Sequence, residues 1–313
     1  MNNNIIRIGT RKSRLALIQT GLVAKQIESL YPEIKTELVP ISTKGDLISD
    51  KPLSQLGGKG LFTQEIENAL NYKIIDLAVH SAKDMPILAK NGLNTIPVLK
   101  REEVCDVVLS LKNIDLKGFQ RGSVIGTGSL RREHFARLIN PEITAKPIRG
   151  NVITRLEKLE SGEYDAVILA AAGLNRLYKE IGEELFYTKK TKSKLRFRIE
   201  KMNPEFFLPA AAQGILAAQY AAANDPVHKI LISLSDQDCT LAYNVEREFL
   251  KNIGADCNAL YGIYCKTDNS DEVRIYSAYG IGQIKTLNLK VKRKKAIEAA
   301  KQMAIRLKNQ INI

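Results

Sequence analysis

The chain has 313 residues, with 47 Lys and Arg against 34 Asp and Glu, a formal net charge of +13 and a sequence pI near 9.4. That length exceeds one typical domain and predicts two or three, while 44% hydrophobic and 26% charged residues fit an ordinary soluble protein with real cores. No run of eighteen apolar residues offers a membrane span, the N-terminus lacks a signal-peptide layout, and Cys105, Cys239, Cys257 and Cys265 show neither CxxC spacing nor a histidine partner. The expectations are a cytoplasmic location, no metal and no disulfide framework.

In chain order, a strand over 5–10 leads through the turn RKS into a helix whose broad apolar face carries Leu15, Ile18, Leu22, Val23 and Leu30. A strand over 37–41 follows, then the long polar stretch TKGDLISDKPLSQLGGKG. Loops of that length are usually functional, and Gly57, Gly58 and Gly60 make this one a lid candidate. A helix over 62–70 runs into IIDLAVHSAKDMP. There Ile74, Ile75, Leu77, Ala78 and Val79 read as a strand buried on both faces, and His80, Ser81, Lys83 and Asp84 cluster at its carboxyl end. Ligands in open α/β sheets bind outside the carboxyl ends of strands. A lysine–aspartate pair there suits chemistry that builds positive charge on a substrate; a surface ion pair at a helix start is the plainer reading.

A second unit from about residue 100 repeats this grammar. SVIGTGSLRREHFARL echoes RIGTRKSRLAL, and YDAVILAAAGLNRL echoes IIDLAVHSAKDMP, with Asp165 in the place of Asp76. Two echoes in one order predict two similar α/β lobes with mainly parallel sheets and a ligand cleft between them. Ser13 and Ser129 stand where they can cap helices or help to bind an anion, and both readings stay open. LPAAAQGILAAQYAAA lacks the lobe grammar and fits a crossing back to the first lobe. A third unit follows: a helix over 241–250, strands near 261–266, 273–279 and 286–291, and a closing helix with Ile297, Ala300, Ala304 and Leu307 on one face. That is a small α+β domain. The expected boundaries are 1–99 with 208–232, 100–207, and 233–313.

The basic excess falls into two kinds. The runs Lys189–Lys201 and Lys290–Lys295 read as solvated surface. Arg11, Arg131, Arg132, Arg149, Arg155 and Arg176 stand singly or in pairs near strand-to-helix turns. Arginine binds carboxylates in a bidentate way, so these fit a cleft for a polycarboxylate better than a stripe along a phosphate backbone.

Over nearly its whole length the chain resembles the porphobilinogen deaminase (hydroxymethylbilane synthase) family. The motifs that carry the resemblance are TRKSRLAL, GGKGLF, AVHSAKDMP, GTGSLRRE, IRGNVITRL, GEYDAVILAAAGLNRL and LPAAAQG, in the family's order. The resemblance implies two periplasmic-binding-protein-like lobes plus a third small domain, and a monomeric enzyme of tetrapyrrole (porphyrin and heme) biosynthesis. Such an enzyme condenses four porphobilinogen units head to tail with loss of ammonia and then releases hydroxymethylbilane. It implies a dipyrromethane primer held as a thioether, here on Cys257. It carries the catalytic role to Asp84 and cofactor contact to Lys83, Asp84, Ser129, Arg131, Arg132 and Arg155. Substrate binding falls to Arg11, Ser13, Thr127, Arg149, Arg155 and Arg176, and the end of the lid to Lys59 and Phe62. The sequence departs from the family's pattern at Ala255, Asp256 and Leu260 around Cys257, and at Ala212, where a glycine is usual.

Two other functions compete. A two-lobed anion receptor explains the arginines but not Asp84 or Cys257. A nucleic-acid-binding protein explains the charge, yet the chain has no Trp and only 6% aromatic residues, with no evident platform for base stacking.

Overall fold

The computed structural model describes residues 5–47, 63–87, 92–182, 197–254, 260–268, 270–281 and 283–310. The chain begins with β1 (Ile5–Arg11), α1 (Arg14–Leu30), β2 (Lys35–Ile41), the single turn α2 (Lys44–Leu47), α3 (Gln64–Asn71), β3 (Leu77–Ser81) and β4 (Leu93–Val98). It then crosses into β5 (Asp106–Ser110), β6 (Val124–Gly126), α4 (Leu130–Ile139), β7 (Thr144–Lys146), α5 (Val152–Glu160), β8 (Ala166–Ala170), α6 (Ala171–Ile181) and β9 (Arg198–Lys201). It returns through β10 (Leu216–Ala221) and α7 (Asp225–Ser233). The last elements are α8 (Gln237–Ile253), β11 (Leu260–Lys266), β12 (Glu272–Ile281), β13 (Gln283–Lys292) and α9 (Ala296–Asn309).

The two lobes share one sheet plan. The first has strand order β2-β1-β3-β10-β4 and the second β7-β6-β8-β5-β9. In each, four strands run one way and the fourth in the order runs against them: β10 opposes β3 and β4, and β5 opposes β8 and β9. Both reversed strands are the ones that arrive from the other lobe. Parallel strands need helical crossovers, which cover both faces of a sheet and make its strands apolar throughout. So Ala166 and Ile168 of β8 join Phe135 of α4 in one core, while Val167 and Leu169 join Leu156 of α5 and Leu174 of α6 in another. In the first lobe, α1 and α7 cover one face through Val23, Ile27 and Leu231, and α3 covers the other through Ile66 and Leu70. The third unit packs α8 and α9 on one face of the antiparallel sheet β11-β12-β13.

Three sequence expectations need correction. Ile74 and Ile75 precede β3, and Ile74 is exposed, because Asp76 turns the chain there: its carboxylate accepts from the Arg7 backbone N–H at 2.8 Å and from the Arg7 guanidinium. On α1, Leu22 and Leu30 are exposed. Leu15 and Ile18 leave their own lobe to pack on the second lobe's core, where Gly173 of α6 leaves room for Leu15. On α9, Ile297 faces out and Met303 takes its place beside Ala300, Ala304 and Leu307.

The third unit is tied to the crossing between the lobes by one carboxylate. Glu246 of α8, with no exposed surface, accepts from Arg101 Nη1 at 2.7 Å and Nη2 at 3.1 Å, from the Ala212 N–H at 2.6 Å and from the Cys265 N–H at 2.9 Å. A buried charge persists only when paired and hydrogen-bonded, and here both conditions hold. Nearby, Gly214 has φ of +86°, and any Cβ would sit 2.4 Å from the Glu102 carbonyl oxygen, so only glycine fits.

Candidate active site

β3 ends in a 3₁₀ turn over Ala82–Asp84 that brings Lys83 and Asp84 to the carboxyl edge of the first sheet. Asp84 is exposed, and Lys83 is half-buried with its Nζ 3.4 Å from Gln213 Oε1. Withdrawal from water pushes the Lys83 ammonium down to about 8; Arg131 and Arg132 push the same way, while Asp84 and Asp106 oppose. Arg11, at the end of β1, and Ser13 line an open pocket of about 80 Å³ with Gln19, His80, Ser81 and Asp84. The Ser13 hydroxyl accepts from the Ala16 N–H at 3.3 Å and so caps α1. His80 is buried and neutral at neutral pH, its imidazole driven to about 4 chiefly by burial.

The second lobe answers with arginines. Ser129 caps α4, its hydroxyl accepting from the Arg132 N–H, and the Thr127 hydroxyl accepts from the Ser129 N–H at 3.2 Å. Arg131 and Arg132, in the first turn of α4, are buried at 6% and 8% exposure. Both grip Asp106: Arg131 Nη1 reaches Oδ2 at 2.7 Å, and Arg132 Nη2 and Nε reach Oδ1 at 2.7 and 3.0 Å. Burial works to raise the Asp106 carboxyl, but the two guanidinium groups hold it well below the usual carboxylate range. Arg155, the fourth residue of α5, donates through Nε to the Gly150 carbonyl at 2.9 Å. Its guanidinium is pushed down to about 10, first by burial and then by Arg132 and Arg149, with Asp84 pulling upward. Asp84 of the first lobe thus lies within electrostatic reach of Arg155 of the second. Lys83, Arg131, Arg132 and Arg155 bring four cations against the carboxylates of Asp84 and Asp106, a surplus suited to a polycarboxylate.

The sequence placed Arg176 near a strand-to-helix turn. The structure puts it mid-helix in α6, buried, donating to the Gly214 carbonyl at 2.7 Å beside the crossing. Lys59, Phe62 and Cys257 lie outside the described residues. The other three cysteines, Cys105, Cys239 and Cys265, are buried, and burial pushes each thiol up to about 12. Sequence reasoning missed Asp106, and it noted Gln213 only through the family resemblance, as the crossing glutamine that follows Ala212. The available signal for Asp106 was an acid opening the apolar run DVVLS, since buried acids need partners.

Residues 6–229 match the family model described as porphobilinogen deaminase, dipyromethane cofactor binding domain. The chain belongs to the porphobilinogen deaminase family. It is 41% identical over 276 residues to porphobilinogen deaminase of Lachnospira eligens, covering 88% of both chains. It is 37% identical over 309 residues to that of Rickettsia typhi, covering 96% of this chain and 98% of the relative. Among solved structures, the periplasmic aliphatic sulphonate binding protein SsuA of Escherichia coli aligns over 80% of this chain and 70% of its own, at 15% identity and a TM-score of 0.40.

The donor set fits the dipyrromethane group for which the family's domain is described: Lys83 of the first lobe and Arg131, Arg132 and Arg155 of the second outnumber the carboxylates of Asp84 and Asp106, which leaves positive charge for the group's acidic arms. Among the described residues, no three His, Cys, Asp or Glu side chains gather as a metal site, and no helix is long and apolar enough to cross a membrane.

Proposed function

We propose that the chain condenses four porphobilinogen units head to tail, with release of ammonia, into hydroxymethylbilane, acting as a monomeric cytoplasmic enzyme. The observation that carries this reading is the exposed carboxylate of Asp84 at a strand end, within electrostatic reach of Arg155 from the other lobe, with the Arg131–Arg132 pair beside Lys83. Arg11, Ser13, Thr127, Arg149, Arg155 and Arg176 bind substrate, and Lys83, Ser129, Arg131 and Arg132 hold the primer with Arg155. Each pyrrole brings acetate and propionate arms, and guanidinium groups drawn partly out of water bind such carboxylates more strongly than exposed ones do. Asp84 stabilises positive charge as it develops on the incoming unit and takes up protons at the pyrrole nitrogen. Dipyrromethane, when bound, supplies the free pyrrole carbon that is extended. Its anchor is Cys257. What supports that choice is the state of the other thiols: a thiol must be exposed and partly ionised to add to an electrophile, and Cys105, Cys239 and Cys265 are neither. Lys59 and Phe62 enter the same reading as lid residues through the motif match alone.

The intact mass tests it. The purified protein should exceed the 34.9 kDa chain by one dipyrromethane, peptide mapping should place the addition on Cys257, and Cys257→Ser should purify without it. An unmodified yet active protein, or an adduct on Cys265, sinks the assignment.

A further inference from the structure

Gln213 has no exposed surface and sits on the segment that crosses between the lobes. Its side-chain amide is used at both ends. Nε2 donates to the Asp106 carboxylate at 3.0 Å and to the Val104 carbonyl at 2.8 Å, while Oε1 accepts from Lys83 Nζ at 3.4 Å. Asp106 in turn grips Arg131 and Arg132. One neutral side chain thus joins the lysine beside Asp84 in the first lobe to the arginine pair of the second. A primary amide suits this place because it donates at one end and accepts at the other without adding charge. Here the acceptor end is spent on the Lys83 ammonium group.

We propose that Gln213 is a positioning residue: by accepting from Lys83 while donating to Asp106, it fixes the Lys83–Asp84 turn against the Arg131–Arg132 pair, so that a polycarboxylate held by the arginines meets Asp84 in register. This rests on the function proposed above. The charged groups that face Lys83 are Asp84 on its own turn, Arg131 and Arg132 on α4, and Asp106 on β5.

Two variants of the full chain test the proposal. Gln213→Met keeps the length and removes both polar ends, whereas Gln213→Glu keeps an acceptor, adds a charge and loses the donor. The first readout is the pH midpoint for acetylation of Lys83 by acetic anhydride, followed by peptide mass, with a wild-type midpoint of about 8. Losing the acceptor should lower the midpoint by about half a unit in the Met variant, and the added carboxylate should raise it by about one unit in the Glu variant. The second readout is kcat/KM, which should fall by about tenfold or more in both, because misplacement of reacting groups is costly. A midpoint unmoved in both variants, shifts of the same sign, or kcat/KM within about twofold of wild type would overturn the proposal. So would failure of both variants to fold, which would make the residue structural. An inactive wild type would sink the proposed function but leave the acetylation readout intact.

Discussion

The two lobes are built alike and armed differently. Asp76 accepts from the backbone N–H of Arg7 at 2.8 Å just before β3, and Asp165 accepts from that of Val124 at 2.9 Å just before β8. Gly9 pairs with Ala78 as Gly126 pairs with Val167. Where the framework ends, the likeness ends. β3 runs into Lys83 and Asp84, whereas β8 passes directly into the apolar first turn of α6. The helix after β1 opens with no buried charge, whereas the one after β6 opens with Arg131 and Arg132 on Asp106. In the function proposed above, the first lobe would bring the carboxylate that meets developing positive charge, and the second most of the cations that hold the substrate's own carboxylates. The shared scaffold fixes the framework, and the few residues beyond its strand ends set the two lobes' charges apart.

The largest expected effect breaks this division at its acidic side. Asp84→Asn keeps the shape and removes the charge, so tetrapyrrole formation should fall about 10²–10³-fold or more with an unchanged circular dichroism spectrum. Near-wild-type turnover would refute the role. Next comes the buried pair of the second lobe. Asp106→Asn leaves two buried guanidinium groups without their anion and should cost about 3–5 kcal/mol in urea unfolding. The same carboxyl sets an acid limit: its pKa is depressed in the folded state, so its contribution is full above the unfolded value of about 4 and is lost as pH falls below that. A variant whose acid unfolding curve overlays that of wild type would exclude this account.

Smaller effects sharpen the comparison. Arg155→Leu should cost about 1.5–3 kcal/mol in transition-state binding, read as a fall in kcat/KM with the fold intact, and Arg155→Lys should cost less. Equal turnover in wild type and the Leu variant would remove Arg155 from the site. The smallest change is Ala212→Gly. Ala212 holds φ of +59°, a region costly for alanine, but glycine also enlarges the unfolded ensemble. The two terms nearly cancel, so the midpoint of thermal unfolding should move by no more than about 1 kcal/mol's worth; a larger loss would show that the Cβ packs usefully.

The lobes were legible in the sequence because their repeats lie in backbone-critical residues: the Gly-Thr at a strand end and the Asp before a buried strand recur at readable spacing. The placement of Lys83, Asp84 and the arginines of α4 and α5 near strand-to-helix turns was legible from the same punctuation. The polar wiring beneath them was not. Gln213 meets Lys83 and Asp106 across more than a hundred residues of chain, and no local pattern encodes such a meeting. Exposure of Leu22 and Ile297 was hidden for a related reason: helical periodicity marks an apolar face but not how far the neighbouring elements cover it.

Glu246 couples the third unit to the crossing between the lobes. Its one carboxylate terminates Arg101 and Ala212 from the crossing segments together with Cys265 from the third sheet. Detaching the third unit would strand the Arg101 guanidinium and the Ala212 N–H on the crossing and leave Glu246 a buried charge without its cation, so that unit and the crossing should melt in one transition.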